Sequence, residues 1–235
     1  MIRHENLHAM PRALMLTVAV LAIGLMIPAI SAAQNYSTKP IRLIVPLAPG
    51  GTGDTLARLT GDLLAAAFGG SVIVDNRPGA NGIIGMELAA QAAADGHTLL
   101  FGSSGNVALN AVLHGSKLRF NPERDFAPIV HVATTTSVVV VNPGLPVKSV
   151  PELIALARSK PGAINYASSG IGSAVHLGTA LFESMAKVRM NHVPYKGSTP
   201  GRVAVIQGEA QLMFDGLLPS LPLIKQGRVR AIAVT

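Results

Sequence analysis

The sequence predicts an α/β protein. Short β-rich runs alternate with helical patterns from residue 41 onward, and glycine-rich turns follow several of the predicted strands. Apolar residues make up 49% of the chain, which is ample for a large aliphatic core. Alternation of this kind is typical of parallel strands joined by crossover helices, so we expect parallel sheets with helices on their faces.

The first predicted unit is a strand at 41–47 followed by a helix at 54–67. Leu56, Leu59 and Leu63 recur at helical spacing and predict an apolar helix face. The unit continues with a strand at 71–75, a helix at 84–93 and a strand at 97–102.

A polar segment at 121–125, flanked by prolines, is the expected boundary between two parts of the chain. Two β-branched runs at 129–134 and 137–141 are candidate strands, and Ser149 with Glu152 has the spacing of a helix capping box. The remaining predicted elements are strands at 164–167, 190–193, 211–214 and 228–234, and helices at 173–186, 201–207 and 217–226.

The N-terminus has the layout of a secretory signal peptide. Arg3 and Arg12 precede an uncharged apolar stretch at 13–27, and small residues end at Ala33. The stretch is shorter than the roughly twenty residues that a membrane span needs. We therefore expect residues 1–33 to be cleaved off and the mature protein to be periplasmic.

Composition argues against several other classes of protein. The net charge is +7, but the basic residues form no run, and aromatics make up only 4% of the chain, so nucleic-acid binding is not expected. There is no cysteine, and the seven histidines lack the spacing of metal ligands. We expect no metal and no cofactor.

Three turns share one pattern, in which a strand ends, glycine and a hydroxyl residue follow, and a helix begins. They are turn A (Pro49–Asp54), turn B (Gly102–Asn106) and turn C (Ala167–Ser173). Glycine allows close approach to backbone N–H groups, and the first turn of a helix has unpaired donors. Each turn alone is as typical of plain helix capping, but three together favour one shared pocket for an anion.

Two enzymatic interpretations compete with anion binding. Gly51, Gly53 and Asp75 resemble part of a dinucleotide-binding pattern, but Leu56 stands at the third glycine position. A hydrolase would use one of four serines with His176 as base and Asp215 as orienting acid, yet no serine lies in a Gly-x-Ser-x-Gly motif. The candidate nucleophiles are Ser103, Ser104, Ser168 and Ser169.

From about Tyr36 to its end the chain resembles the Bug-type extracytoplasmic solute receptors of tripartite tricarboxylate transporters. The resemblance is carried by segments spread over the whole of this range. They are Lys39-Pro-Ile-Arg42, Pro49-Gly-Gly51 with Asp54, Asp75-Asn-Arg-Pro-Gly-Ala80, Asp125-Phe-Ala-Pro128, Asn165-Tyr-Ala-Ser-Ser-Gly170, His192-Val-Pro-Tyr-Lys-Gly197 and Met213-Phe-Asp215.

The resemblance implies a type II periplasmic-binding-protein fold, in which two α/β lobes enclose a ligand. Lobe 1 would span 34–125 and lobe 2 would span 126–235, with the final strand near 228–235 leading back toward lobe 1. It implies a monomeric, non-enzymatic receptor that captures a small di- or tricarboxylate and delivers it to the membrane components of the transporter. The implied ligand-binding residues are Leu47, Gly50, Gly51, Thr52, Asp54, Ser103, Asn106, Ser168, Gly170, Ser173, His176, Tyr195 and Asp215.

Members of this family continue well beyond the position of Thr235. On this comparison we expect a C-terminally truncated chain, in which lobe 1 lacks its C-terminal return segment. The alternative for such a chain is a truncated copy that binds no ligand.

Overall fold

The computed structural model describes residues 39–235, and its strands form two sheets. The strands are β1 (Ile41–Val45), β2 (Val72–Asn76), β3 (Thr98–Leu100), β4 (Ser137–Val141), β5 (Asn165–Ser168), β6 (Asn191–Pro194), β7 (Leu212–Gly216) and β8 (Arg230–Val234). The helices are α1 (Thr52–Phe68), α2 (Ile83–Ala90), α3 (Asn110–His114), α4 (Val150–Ser159), α5 (Ala174–Ala186), α6 (Ser198–Gln207) and α7 (Leu217–Lys225). The predicted α/β class is confirmed, and the predicted signal peptide at 1–33 lies outside the described residues.

The first sheet has the order β2-β1-β3, and all of its pairings are parallel, as predicted. Its core is small: Leu43 and Val45 of β1 pack against Ala57 of α1. Helix α1 does not bury the leucine face that the sequence predicts, since Leu63 is 72% exposed. The face against the sheet instead carries small residues, and at Gly61 a β-carbon would lie 3.4 Å from two valine side chains of β2.

The second sheet has the order β6-β5-β7-β4-β8 and is mixed. Strand β4 runs antiparallel to both β7 and β8, so the expectation of purely parallel strands is wrong here. Alternate β4 residues face opposite sides of the sheet: Val139 and Val141 join one buried cluster, and Val138 and Val140 join another. The sheet is therefore covered on both faces, which is why the run reads as continuously apolar.

A long segment without helix or strand, from 118 to 136, connects the two sheets. The candidate strand at 129–134 is wrong, because no strand pairs with it and Ile129 and Val130 are 77% and 74% exposed. β-branched residues favour extended backbone, but a strand also needs a neighbouring ladder. The predicted lobe boundary at 125 falls inside this segment and stays a prediction.

Local signals determine where several helices begin. Ser149 accepts a hydrogen bond from the Glu152 N–H at 3.4 Å, as the capping-box spacing predicts, whereas the Glu152 carboxylate accepts from the Lys148 N–H at 2.8 Å. Ser173 caps α5 by accepting from the His176 N–H at 3.2 Å. No helix between residues 39 and 235 is long and apolar enough to cross a membrane.

Candidate functional site

Turn A is held in shape by the carboxylate of Asp54, which is only 4% exposed. It accepts from the Gly50 N–H and from Asn76 Nδ2, both at 2.9 Å, and it pairs with Arg58 at 3.1 Å. Burial alone would raise the pKa of Asp54, but the Gly50 N–H and the side chains of Arg58 and Asn76 outweigh it and lower the pKa. Asp54 is thus an ionised anchor of the turn, with its acceptors occupied by protein donors.

The backbone at the start of α1 is the open part of turn A. Gly51 precedes the helix in an extended conformation with φ −88° and ψ 172°. A β-carbon at Gly51 would meet only the Ala48 carbonyl oxygen, at 3.8 Å, so there is free space in front of it. The first-turn amides of a helix have no acceptor within their own helix and favour an anion. Turn A therefore offers backbone donors beside an accessible surface.

Turn B is part of a hydrogen-bonded network of asparagine side chains. Asn106 is 2% exposed; it accepts from Ser103 Oγ at 2.7 Å and donates to the Asn81 carbonyl at 2.8 Å. Asn110 Nδ2 donates to the same carbonyl at 3.0 Å, and Asn81 Nδ2 donates to Asn110 Oδ1 at 3.0 Å. The Asn81 amide also reaches the Gly172 carbonyl in turn C at 3.0 Å. These hydrogen bonds connect turn B, which follows a strand of the first sheet, to turn C, which follows a strand of the second.

The backbone of turn C is held by hydrogen bonds to neighbouring side chains. Ser168 is fully buried, with its Oγ 2.6 Å from His192 Nε2 and 3.1 Å from the Gly170 N–H that donates to it. The Gly172 N–H donates to His176 Nδ1 at 3.1 Å. Gly170 and Gly172 have φ of 128° and 77°, a region that favours glycine, so the composition of the turn follows from its backbone path.

Turns B and C lie next to each other, whereas turn A contacts a different element. Turns B and C touch, because a β-carbon at Gly105 would lie 3.6 Å from that of Ala174. Turn A instead meets the start of α6, where Thr199 Oγ1 donates to the Pro49 carbonyl at 3.0 Å. One pocket shared by all three turns stays a prediction.

Two side chains that the sequence places at the rim of the site, Tyr195 and Asp215, have hydrogen-bond partners in the part of the chain that forms the second sheet and its helices. Burial and, after it, the carboxylate of Glu209, which accepts from the phenol, raise the pKa of Tyr195. Asp215 is 1% exposed; Arg202 Nε donates to it at 2.5 Å and Ser220 Oγ donates at 2.7 Å. Of the remaining predicted residues, Leu47 packs against the core of the first sheet, and Thr52 lies close to Gly216.

The geometry gives little support to the enzymatic alternatives. Asp215 is bonded to Arg202 rather than to His176, so no Ser-His-Asp relay forms with these residues. Ser168 is close to a histidine but is fully buried, with its hydroxyl engaged within turn C. Both oxygens of Asp75 pair with arginines, Arg42 at 2.6 Å and Arg77 at 2.8 Å, which leaves no free carboxylate for a ribose.

Sequence reasoning missed three residues that hold the turns, Asn76, Asn81 and His192, and it missed Arg202 as the partner of Asp215. The sequence offered a signal for Asn81, because an asparagine after Gly79-Ala80 is typical of a turn. In the structure Asn81 adopts φ 53°, which asparagine tolerates better than most residues. The other three act across 13 to 24 residues of sequence, where no local pattern indicates the partner.

Two hollows lie elsewhere on the described surface. One, of about 340 Å³, is lined by Ile154, Gly178, Leu181, Phe182, Met185 and Ala186. The other, of about 360 Å³, is lined by Pro143, Ile224, Gly227, Val229, Arg230 and Ala231. No residue of the three turns lines either hollow. Among residues 39–235, no group of three or more histidine and carboxylate side chains is arranged to hold a metal ion.

Comparison with known proteins resolves the class of the chain. Residues 56–235 match the family model described as tripartite tricarboxylate transporter family receptor. The chain belongs to this receptor family. A relative in Pseudomonas sp. strain P51, encoded in the tcbD-tcbE intergenic region, is 38% identical over 85% of this chain and 59% of its own length. Protein BugT of Bordetella pertussis is 35% identical over 86% of this chain and 62% of its own length.

Solved structures of similar receptors share the fold. Rpa4515 of R. palustris, solved with adipate, is 38% identical with a TM-score of 0.82 over 85% of this chain and 67% of that chain. MatC of Rhodopseudomonas palustris, solved with bound malate, is 29% identical with a TM-score of 0.77 over the same shares. The receptor family and its structural neighbours are solute-binding proteins with the two-lobed periplasmic-binding-protein fold. The chain spans about three fifths of the length of the relatives named above.

Proposed function

We propose that this chain is the ligand-binding part of a periplasmic receptor for a small organic acid with two or more carboxylates. The observation that carries the proposal is the open start of α1, where Gly51 leaves backbone donors accessible while Asp54 fixes the turn behind them. Adipate and malate in the related receptors are acids of this class. The chain acts as a receptor and not as an enzyme.

The proposed site combines turn A with turns B and C. In turn A the contacts come from the backbone at Gly51 and Thr52, beside the side chain of Leu47, because the Gly50 N–H is already donated to Asp54. Ser103 of turn B, Gly170 of turn C and the first turn of α5 after Ser173 form the opposite wall. A carboxylate suits such a site because amide donors bind an anion without the desolvation cost of a buried counter-ion.

The proposed partners follow from the family. We propose that lobe 1 (34–125) and lobe 2 (126–235) close on the acid, and that the closed monomer delivers it to the membrane components of a tripartite transporter. Export would occur through the signal peptide at 1–33, and intact-mass measurement of protein secreted to the periplasm would locate cleavage after Ala33.

Isothermal titration calorimetry with adipate, malate and citrate tests the binding proposal. We expect saturable heat with at least one acid, and its loss in Gly51→Val, because the new side chain covers the first-turn amides while the φ of Gly51 suits any residue. Gly178→Ala is the matched control, since no atom lies within 4 Å of a β-carbon there and Gly178 lines a hollow to which none of the three turns contributes. Absence of heat and of thermal stabilisation with all three acids, in protein whose circular dichroism shows a folded chain, would overturn the proposal.

A further inference from the structure

Three aromatic rings are stacked behind turn C. Tyr166 lies against His192 with 4.8 Å between ring centroids and 15° between planes. His192 lies against His176 with 4.1 Å and 12°. The rings come from β5, β6 and α5, so three elements meet at this column. Each histidine in it also makes a polar contact with turn C.

The contact of His192 is with Ser168, and the surrounding network identifies the donor. Ser168 Oγ accepts from the Gly170 N–H at 3.1 Å and lies 3.2 Å from the Gly170 carbonyl, to which it donates. The hydroxyl has a single hydrogen, so when it donates to the Gly170 carbonyl, His192 Nε2, at 2.6 Å, carries its own proton and donates to Ser168. Every bond of the buried hydroxyl is then made, and His192 holds the beginning of turn C.

The contact of His176 holds the other end of the turn. Its Nδ1 accepts from the Gly172 N–H at 3.1 Å, so Nδ1 is unprotonated and a neutral His176 carries its proton on Nε2. The backbone N–H of His176 also donates to Ser173 Oγ, which caps α5. Together the two histidines bind turn C at Ser168 and at Gly172.

The groups around the column favour a neutral imidazole at His192. From β5 the neighbours of His192 are Tyr166 and Ser168, and from α5 its neighbour is His176. The carboxylate of Glu183, also on α5, accepts instead from the Tyr166 phenol and from the Met190 N–H, the latter at 2.5 Å. Burial, and then the neighbouring His176, lower the pKa of His192. Two stacked cations would repel at this distance.

We propose that His192 and His176 are positioning residues that fix turn C in its anion-binding shape, His192 as the Nε2–H tautomer and His176 as the Nδ1 acceptor. This proposal rests on the proposed function, because the turn they hold forms one wall of the proposed carboxylate site. Neither histidine needs to touch the acid. They act by holding Gly170 and Gly172 at their positive φ angles. The backbone amides between Ser168 and the start of α5 then keep one fixed orientation.

The first test uses the ligand-free protein, so it does not depend on whether any acid binds. Long-range ¹H–¹⁵N correlation spectra of uniformly labelled protein distinguish protonated from unprotonated ring nitrogens. At neutral pH we expect a protonated Nε2 in His192 and an unprotonated Nδ1 in His176. An unprotonated Nε2 in His192, or a protonated Nδ1 in His176, would overturn the assignment.

The second test separates hydrogen bonding from stacking. His192→Phe and His176→Phe keep a stacked ring and remove one contact each. His192→Gln and His176→Asn restore an N–H donor and an oxygen acceptor near the lost atoms. The amide signals of Gly170 and Gly172 should move in the phenylalanine variants and return in the polar ones. His131→Phe, in the exposed segment between the sheets, is the matched control.

The same variants are then titrated with whichever of adipate, malate or citrate binds the unmodified chain. We expect about tenfold weaker binding in each phenylalanine variant, the effect of losing one hydrogen bond that orders the site, and recovery in His192→Gln and His176→Asn. Unchanged binding in the phenylalanine variants, or failure of the polar variants to recover the binding lost in the phenylalanine ones, would overturn the proposal. If no acid binds the unmodified chain, the proposed function fails, and the tautomers and glycine signals still decide on the positioning role.

Discussion

The anchoring role of Asp54 predicts that Asp54→Asn weakens the fold far more than its small chemical change suggests. Oδ1 of Asp54 accepts from Asn76 and Arg58, and Oδ2 accepts from Gly50 and Arg58. All of these partners are donors. An asparagine side chain would therefore place its NH₂ group against one of these N–H donors in either orientation of the amide.

The size of the effect follows from the burial of the carboxylate. Hydrogen bonds to a charged group contribute about 1.5–3 kcal/mol, and a buried donor left unpaired costs about 1–3 kcal/mol. Arg58 is 53% exposed, so water screens its share and we discount it. We expect Asp54→Asn to lower the free energy of unfolding by about 2–3 kcal/mol, mostly through Gly50 and Asn76.

Urea unfolding followed by circular dichroism measures this change. At a slope of about 2 kcal/mol per molar the midpoint should fall by about 1 M or slightly more. Asp62→Asn makes the same substitution on the exposed face of the same helix, and its effect should stay within about 0.5 kcal/mol. Equal midpoints for the two variants would refute the anchoring role of Asp54.

The pH dependence gives a second check on the same residue. The pKa of Asp54 is lowered in the folded state, so its stabilisation is complete above the unfolded pKa of about 3.9 and is lost as the pH falls through the folded value. The difference in stability between the unmodified chain and Asp54→Asn should therefore narrow below about pH 4. A difference that stays constant down to strongly acidic pH would contradict the assignment of an ionised, hydrogen-bonded carboxylate.

Three further predictions address the second sheet and the helices packed on it. Arg202→Met leaves the Asp215 carboxylate buried without its cation and should cost about 3–5 kcal/mol in urea unfolding, most of which Arg202→Met/Asp215→Leu should recover; an additive double variant would contradict this. Gly178→Ala lies within α5 with free space around the new methyl group and should raise the unfolding free energy by about 0.5–1 kcal/mol, whereas a lower melting temperature would show hidden crowding. Burial and, after it, Glu183 raise the pKa of Tyr166 to about 12, so alkaline absorbance titration should show a late tyrosine step that Tyr166→Phe removes; its persistence in that variant would refute the assignment.

The parts of the fold that the sequence predicts correctly are those with local causes. The cap at Ser149 acts over three residues, and the glycines of turn C adopt the positive φ values that their composition suggests. Strand direction is different, because an apolar run such as β4 reads the same in either orientation. Its antiparallel pairing with β7 and β8 depends on the path of the chain through the second sheet, which no local pattern carries.

The same distinction applies to the candidate site. Composition alone identified turns A, B and C, since glycine and hydroxyl residues between strand and helix have local meaning. The partners of the side chains in these turns could not be predicted, because Asn76 lies 22 residues from Asp54 and His192 lies 24 residues from Ser168. A polar residue that seems free in the sequence is thus engaged elsewhere in the folded chain.

Two neighbouring glycines in turn A show how such a turn divides structural from binding roles. Gly50 has φ 78°, and a β-carbon there would lie 2.8 Å from Thr199 Oγ1, so the backbone path and the contact with α6 both require glycine. Gly51 has φ −88° and open space, so nothing in the packing of the described chain requires glycine at that position. The open space at Gly51 supports the proposal that the ligand carboxylate binds there rather than at Gly50, whose N–H is already donated to Asp54.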